Sequence, residues 1–177
     1  MNREELAHLR RIVKKDKKFL KFKDSVEKNP NLRLPFDDLH EELERMQRSR
    51  GVRSLSRKDK NFTGSVVDAM LQDQAYRSRC TEILASCLSI TGAFQETLTN
   101  LRDYLVLEYA SRIPGRATKE EKRQFMENIL RPFFTYLHRV DQLREHAKYI
   151  VTDIDQAGYT YRNLVESIKL LGKPESI

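Results

Sequence analysis

Apolar side chains recur every three or four residues along most of the chain, which is the spacing of a helix with one apolar face. The longest series lies in the C-terminal segment, at Met126, Ile129, Phe133, Tyr136, Val140, Leu143, Ala147, Ile150, Ile154, Ala157, Tyr161, Leu164, Ile168 and Leu171. A shorter series precedes it, at Cys80, Leu84, Cys87, Thr91, Phe94, Leu98, Leu101 and Leu105. A lone helix drifts off a seven-residue repeat within a few turns, so both series predict helices packed against other helices.

Two shorter helices are predicted ahead of these series. The first covers residues 3–28 and ends at Asn29-Pro30, and the second covers residues 36–50 after Pro35. Residues 51–64 combine glycine, serine and charge, which predicts a hinge.

The two apolar series predict long helices over residues 65–111 and 118–171. Ser65 with Asp68, and Thr118 with Glu121, have the spacing of capping boxes. Pro132 predicts a kink or a break near residues 130–132.

These elements predict an all-α fold, an elongated helical hairpin or coiled-coil body with a basic helical N-terminal arm. The arm is placed at residues 1–62 and the body at 63–177. Further apolar positions flank the C-terminal series, so we expect self-association through Leu143, Ile150, Ile154, Tyr161, Leu164, Ile168 and Leu171. The alternative is a three-helix bundle within one chain, closed by the arm. Six glycines and five prolines are too few for the turns of a β-sandwich or barrel.

Composition limits the cellular compartments and protein classes to which the chain can belong. Apolar residues make up 39% of the 177 positions and charged residues 33%. No run approaches the roughly 18 apolar residues of a membrane span, and the opening MNREELAHLRR lacks the apolar core of a signal peptide. The two cysteines do not form a disulfide framework. We expect a soluble cytoplasmic protein, in the host cytoplasm if the chain is of phage origin, with no membrane partner.

The positive charge is concentrated in the predicted arm. The net charge is +7, and residues 1–62 alone hold 18 Lys and Arg against 11 Asp and Glu. Two basic clusters, 8–28 and 45–60, are separated by an acidic stretch. Clustered cations interleaved with aromatic rings are typical of single-strand nucleic-acid binding, because bases stack on rings while cations neutralise phosphates. The residues assigned to this contact are Arg10, Arg11, Lys14, Lys15, Lys17, Lys18, Phe19, Lys21, Phe22, Lys23, Arg48, Arg50, Arg53, Arg57, Lys58 and Lys60.

Two simpler interpretations stay open. In the first, the arm is only a solvated tail. In the second, Phe19 and Phe22, three residues apart, belong to an amphipathic helix that docks on the body.

Catalytic and metal-binding patterns are missing from the sequence. The glycines are scattered singly, and the four histidines have no metal-ligand spacing. Cys80 and Cys87 share the apolar series and are interpreted as buried apolar side chains. We expect neither an enzyme nor a bound cofactor or metal.

Residues 141–173, DQLREHAKYIVTDIDQAGYTYRNLVESIKLLGK, resemble the last helix of the UvsY family of phage recombination mediators. The matching positions, by residue class and order, are Asp141, Leu143, Lys148, Tyr149, Ile150, Ile154, Gly158, Tyr159, Arg162, Asn163, Glu166, Lys169 and Gly172. The stretch LRDYLVLEYASRIPGR is similar to the family's charged and aromatic helix end. The resemblance implies a ring-forming homo-oligomer that binds single-stranded DNA. It also implies partners, a RecA-like recombinase that the protein helps load onto DNA and a single-strand-binding protein that coats the DNA.

Two functions of different classes follow. The first is a single-stranded-DNA-binding recombination accessory factor. The second is a coiled-coil structural or DNA-packaging adaptor, similar to a small terminase or scaffold component, whose basic arm contacts duplex DNA or an acidic partner.

Overall fold

The structure is a computed structural model that describes residues 3–51, 62–113 and 118–171. Its regular elements in these ranges are all helical, which confirms the all-α prediction. They are α1 (Arg3–Lys14), α2 (Lys17–Lys28), α3 (Phe36–Gly51), α4 (Phe62–Tyr109) and α5 (Lys119–Leu171), with 3₁₀ turns at Pro30–Leu32 and Ala110–Arg112.

The predicted helix over residues 3–28 is in fact two helices. Asp16 adopts an extended backbone conformation between them, and its carboxylate accepts hydrogen bonds from the backbone N–H groups of Lys18 at 2.7 Å and Phe19 at 3.1 Å. An aspartate in this position caps a new helix by satisfying backbone donors that lack a partner in the first turn. The chain therefore changes direction at Asp16.

The other helix limits agree with prediction to within a few residues. The capping box at the start of α5 is confirmed, since Thr118 Oγ1 accepts from the N–H of Glu121 at 3.2 Å and Glu121 accepts from the N–H of Thr118 at 2.7 Å. The box proposed at Ser65 is wrong, because α4 already begins at Phe62. Pro132 lies inside α5, which continues through it without a break. Of the predicted hinge, residues 52–61 lie outside the described residues.

The chain divides into two compact units, and each takes residues from distant parts of the sequence. The first unit comprises residues 1–35 and 88–141, and the second comprises 36–87 and 142–177. Helices α4 and α5 each contribute one segment to each unit. The boundary between the units is therefore not the predicted arm–body boundary at residue 62.

The first unit has one apolar core to which α1, α2, α4 and α5 all contribute. Leu9 and Val13 of α1 and Phe19 and Phe22 of α2 are buried in it. The α4 and α5 residues of this core include Phe94, Leu98, Leu101, Leu105, Met126, Ile129 and Leu130. The first two helices are thus part of the core, as in the three-helix alternative.

The second unit packs α3 with segments of α4 and α5. Phe36, Leu39, Leu43 and Met46 form the buried face of α3. Between α4 and α5, Val66, Ala69 and Tyr161 form a small cluster with Ala157 and Val165.

The apolar series account for most of the burial along the long helices. Cys80 and Cys87 are buried and free, as predicted, and burial raises the pKa of the Cys80 thiol to about 11. In α4, however, Ile83 and Ile90 are buried, whereas the predicted Leu84 and Thr91 are half-buried. The buried stripe therefore runs along a slightly different line of α4.

Candidate nucleic-acid interface

A basic face covers the outer side of α1 and α2. Because Leu9, Val13, Phe19 and Phe22 turn into the core, the residues between them are left in solvent. The exposed cations are Arg10, Arg11, Lys14, Lys15, Lys17, Lys18, Lys21, Lys23 and Lys28. We call this set the basic face. It agrees with the first predicted cluster, residues 8–28.

The cations of the basic face stand in rows. Arg10 and Lys14 in α1, and Lys17 and Lys21 in α2, are each separated by four residues, and Lys15 directly follows the end of α1. Residues at this spacing are neighbours on a helix surface, so like charges there repel by about 0.2–0.5 kcal/mol per pair. Lys17 and Lys18 also occupy the first turn of α2, where the helix dipole favours anions. Asp16 caps this end of α2, but the first turn itself contains no acidic residue, so the cations there are unfavourably placed.

Few of these cations are neutralised by the protein. Lys23 lies 3.5 Å from Glu27 and Lys28 lies 2.8 Å from Asp24. Arg10 and Lys18 lie over the rings of Phe125 and Tyr104, at 5.5 Å and 3.8 Å from the ring centres. The other five have no ion-pair partner among the described residues: Arg11, Lys14, Lys15, Lys17 and Lys21. These five are available to phosphates.

Asp16 fixes the basic face to α4. Its Oδ2 atom accepts hydrogen bonds from the hydroxyl of Tyr109 at 2.7 Å and of Tyr104 at 3.2 Å. Burial raises the pKa of Asp16, but the bonds from Tyr109, the two backbone N–H groups and Tyr104 outweigh it and hold that pKa below its usual value. The hydrogen bond to Asp16, together with burial, raises the pKa of Tyr109 to about 12. The junction of α1 and α2, where four lysines meet, is therefore held in place.

Phe19 and Phe22 are not exposed rings, and their assignment to base stacking is corrected. Each is only 6% exposed. Phe22 stacks on Phe94, with ring centres 5.7 Å apart. Phe133 packs edge-on against Phe22 at 5.0 Å and against Phe19 at 6.3 Å between ring centres. Their three-residue spacing reflected an amphipathic helix docked on the core. No phenylalanine or tyrosine ring in the described part of the first unit is exposed.

The second predicted cluster does not form a comparable surface in the described residues. Arg48 is exposed and lies 3.9 Å from Glu44 of the same helix. Arg50 is buried in ion pairs, with Nη1 2.8 Å from Asp73 and Nη2 2.8 Å from Asp153, so its assignment to nucleic acid is corrected. Arg53, Arg57, Lys58 and Lys60 lie outside the described residues.

The pairing of Arg50 and Asp73 was missed at the sequence level, although a signal existed. Arg50 follows the stripe Phe36, Leu39, Leu43 and Met46 at the same spacing of three and four. Asp73 follows Val66 and Ala69 in α4 in the same way. Their side chains are only 8% and 6% exposed. A charged residue at a position that the pattern assigns to the core indicates a buried partner of opposite sign.

The net charge also separates between the units. The sequence of the first unit contains 19 Lys and Arg against 12 Asp and Glu, which is the whole net charge of +7. The second unit contains 14 of each. Several of its described cations have acidic neighbours, such as Arg79, which lies 2.8 Å from Glu42 and 2.9 Å from Glu82. The excess of positive charge thus lies in the first unit.

The residues predicted to join copies of the chain are largely used inside one chain. Leu143, Ile150, Ile154 and Tyr161 are buried by the chain itself, and Leu164 is half-buried. Nothing is described for the side chains of Ile168 and Leu171. Burial within one chain accounts for the first four without a second copy, so the apolar series is not evidence for self-association.

The described residues include no group of three or more His, Cys, Asp or Glu side chains that could hold a metal ion. Within the same residues, no helix has the length and apolar content needed to cross a membrane. No family model matches the chain, and neither the curated proteins nor the solved structures include a significant match. The resemblance to the UvsY family stays a prediction from the residues.

Proposed function

We propose that this chain is a DNA-binding accessory protein that holds the sugar–phosphate backbone on the basic face of α1 and α2. The observation that carries the proposal is the set of five exposed cations with no ion-pair partner in the described residues, on the unit that holds the whole net charge. Mutual repulsion in these rows lowers stability, and phosphates would relieve it.

The finer role that we propose is that of a recombination accessory factor on single-stranded DNA. This part is supported by the resemblance of residues 141–173 to the UvsY family. The implied partners are a RecA-like recombinase and a single-strand-binding protein, and the chain would help exchange one for the other on DNA. In a strand-exchange assay on DNA coated with single-strand-binding protein, the chain should shorten the lag before recombinase filaments form.

The second candidate, a structural or packaging adaptor on duplex DNA, is favoured by one observation. Phe19 and Phe22 are buried and no phenylalanine or tyrosine of the described first unit is exposed, so the described part of this unit offers no phenylalanine or tyrosine ring for stacking on unpaired bases. A competition between single- and double-stranded DNA of equal length separates the two. Preference for single strands supports the recombination role, and preference for duplex DNA supports the adaptor.

The phosphate contact itself is tested by salt dependence. If four to six cations engage a single strand, the logarithm of the binding constant should fall with the logarithm of salt concentration at a slope of about −3 to −4. Replacing Lys14, Lys15, Lys17 and Lys21 by Ala should make the slope shallower by about 3. Fluorescence anisotropy with a labelled oligonucleotide measures both.

The matched control removes four exposed cations of the second unit, Arg45, Arg48, Lys148 and Lys169, which lowers the net charge by the same amount. That variant should keep the wild-type slope. If both variants lose affinity equally, binding follows net charge and not the basic face. If neither does, the basic face is only a solvated surface.

A further inference from the structure

Two histidines lie side by side where α3 packs on α5 in the second unit. The rings of His40 in α3 and His146 in α5 are 24° from parallel, and their centres are 5.8 Å apart. Both residues are half-buried. Each borders the buried stripe of its helix, since His40 follows buried Leu39 and His146 precedes buried Ala147. The pair is therefore part of the packing of α3 on α5.

The neutral form of the pair suits this contact. Two uncharged imidazole rings stack as other flat rings do. His146 Nε2 lies 3.4 Å from Oε1 of Gln47 in α3. Because an amide oxygen only accepts hydrogen bonds, Nε2 carries a proton and donates in this contact. One ring of α5 thus contacts two side chains of α3 without any charge.

Neighbouring carboxylates offset a positive charge on the two rings only in part. On α3, Asp37 and Glu44 lie three and four residues from His40, within one turn of the helix. Ion pairs take up several other charges of these helices: Glu44 with Arg48 on α3, Glu145 with Arg144 and Lys148 on α5, Arg50 of α3 with Asp153 of α5, and Glu42 of α3 with Arg79 of α4. Asp37 and Glu44 are therefore the carboxylates next to the pair along α3.

The two sides of an opening equilibrium differ in their affinity for protons. Burial and the neighbouring His40 lower the pKa of His146, and the attraction of Glu44 opposes them without reversing the direction. Once α3 separates from α5, the ring regains water and its ordinary pKa of about 6.5. The open form then binds the proton more tightly than the closed form, so opening is favoured as the pH falls through about 6.5.

We propose that the His40–His146 pair is a pH-sensitive contact, which holds α3 on α5 while the rings are neutral and loosens α3 when both rings carry a proton. Two imidazolium ions with centres 5.8 Å apart repel each other. Because the contact is half-buried, water screens that repulsion less than it does in bulk solvent. Histidine is the side chain that ordinarily changes charge between pH 5 and 8, so the response falls in that range.

The test is amide hydrogen exchange of α3 in the full chain, with each rate divided by the intrinsic rate at the same pH. Between about pH 7.5 and about pH 5.0, the protection of α3 in the wild type should fall about three- to tenfold, since one unit of pKa difference corresponds to tenfold. His40→Phe with His146→Phe keeps two stacked rings that do not titrate, so its protection should be the same at both pH values. His146→Gln, which keeps a polar side chain and removes one titrating ring, is the second variant and should also lose most of the pH dependence.

The matched control is His8→Gln with His138→Gln, which removes the other two histidines of the chain, both exposed and both in the first unit. It should keep the wild-type pH dependence of α3. Wild-type protection that does not change between the two pH values overturns the proposal. An equal fall in the variants of the pair does so as well, because other groups would then cause the response. No nucleic acid enters the experiment, so its failure leaves the DNA proposal standing.

Discussion

Three charged residues occupy positions that the helical spacing assigns to apolar side chains: Asp16, Arg50 and Asp73. Each is held by named partners. Asp16 accepts four hydrogen bonds from two backbone groups and two tyrosines, and Arg50 bridges Asp73 and Asp153. A buried polar group is tolerated only when it is paired, so single substitutions at these positions should be costly.

Asp16→Ala removes the cap of α2 and the acceptor of both tyrosine hydroxyls. We expect the free energy of unfolding to fall by about 1–3 kcal/mol, from the lost cap and the unsatisfied donors. Urea denaturation followed by circular dichroism measures it. Asp24→Ala is the control on the same helix, since it breaks only an exposed pair with Lys28 and should change stability by less than about 0.5 kcal/mol.

The same contact predicts a pH dependence in two directions. The folded-state pKa of Asp16 is lowered, so its contribution is complete above the unfolded value of about 3.9 and is lost as the pH falls through the lowered pKa. The pKa of Tyr109 is raised to about 12, so its contribution is complete below about pH 10 and is lost as the pH rises through 12. In Asp16→Ala the losses of stability at both extremes should be smaller, as melting at each pH would show.

Arg50→Met removes the guanidinium that lies 2.8 Å from buried Asp73. Because the carboxylate stays buried, we expect a loss of about 3–5 kcal/mol in the free energy of unfolding. The double variant Arg50→Met with Asp73→Leu should recover most of it, since two apolar side chains can replace a buried pair. A double variant no more stable than the single one would show that the pair itself is strongly stabilising.

At the level of elements, α1 and α2 are part of the core and not a detachable arm. Their apolar side chains cover Phe94, Leu98, Leu101 and Leu105 of α4. The sequence favoured an arm because the net charge is concentrated in residues 1–62 and because residues 51–64 have the composition of a hinge. In the structure two phenylalanines of these helices are buried, and burial of each ring contributes about 1.5–3 kcal/mol to the free energy of unfolding.

Removal of residues 1–35 should therefore abolish cooperative unfolding. The truncated chain 36–177 would expose the core of the first unit, so calorimetry should give a broad transition or none. Within the full chain, Phe22→Ala should lower the free energy of unfolding by about 3–5 kcal/mol. Lys21→Ala, one position away on the exposed side of α2, should leave it nearly unchanged. A sharp melt of 36–177 would show instead that the arm is dispensable.

At the level of the whole molecule, charge is distributed by unit. The first unit carries the net +7 and the second none. Concentrated like charge favours association with a polyanion and opposes compactness. The proposed binding of DNA by α1 and α2 would therefore be achieved at the expense of stability.

Relief of this repulsion should stabilise the free protein. Replacing Lys14, Lys15, Lys17 and Lys21 by Ala together removes two like-charged pairs at four-residue spacing within α1 and α2, which predicts a gain of about 0.4–1 kcal/mol in the free energy of unfolding at low salt. Added salt should shrink the gain by screening. Differential scanning calorimetry measures both. Arg45→Ala with Arg48→Ala, which breaks pairs with Glu41 and Glu44, controls for the helix propensity of alanine and should show no such gain.

The sequence by itself determined the helices, most of their limits and the residues that are buried. These properties depend on local spacing and local caps, such as Thr118 with Glu121 at the start of α5. It also located the basic face, because exposure of clustered lysines follows from the stripe that they flank. Two of its errors were local: the helix break at Asp16 and the helix start at Phe62.

Only the tertiary structure decided what covers each apolar stripe. Leu143, Ile150 and Ile154 are equally apolar whether another copy or the chain's own helices bury them, and the latter is observed. The same holds for Phe19 and Phe22, which could have stacked on bases but lie in the core. Arg50 meets partners 23 and 103 residues away along the chain. An apolar stripe indicates that one face of a helix is buried. Which residues bury that face depends on long-range packing, which local spacing does not indicate.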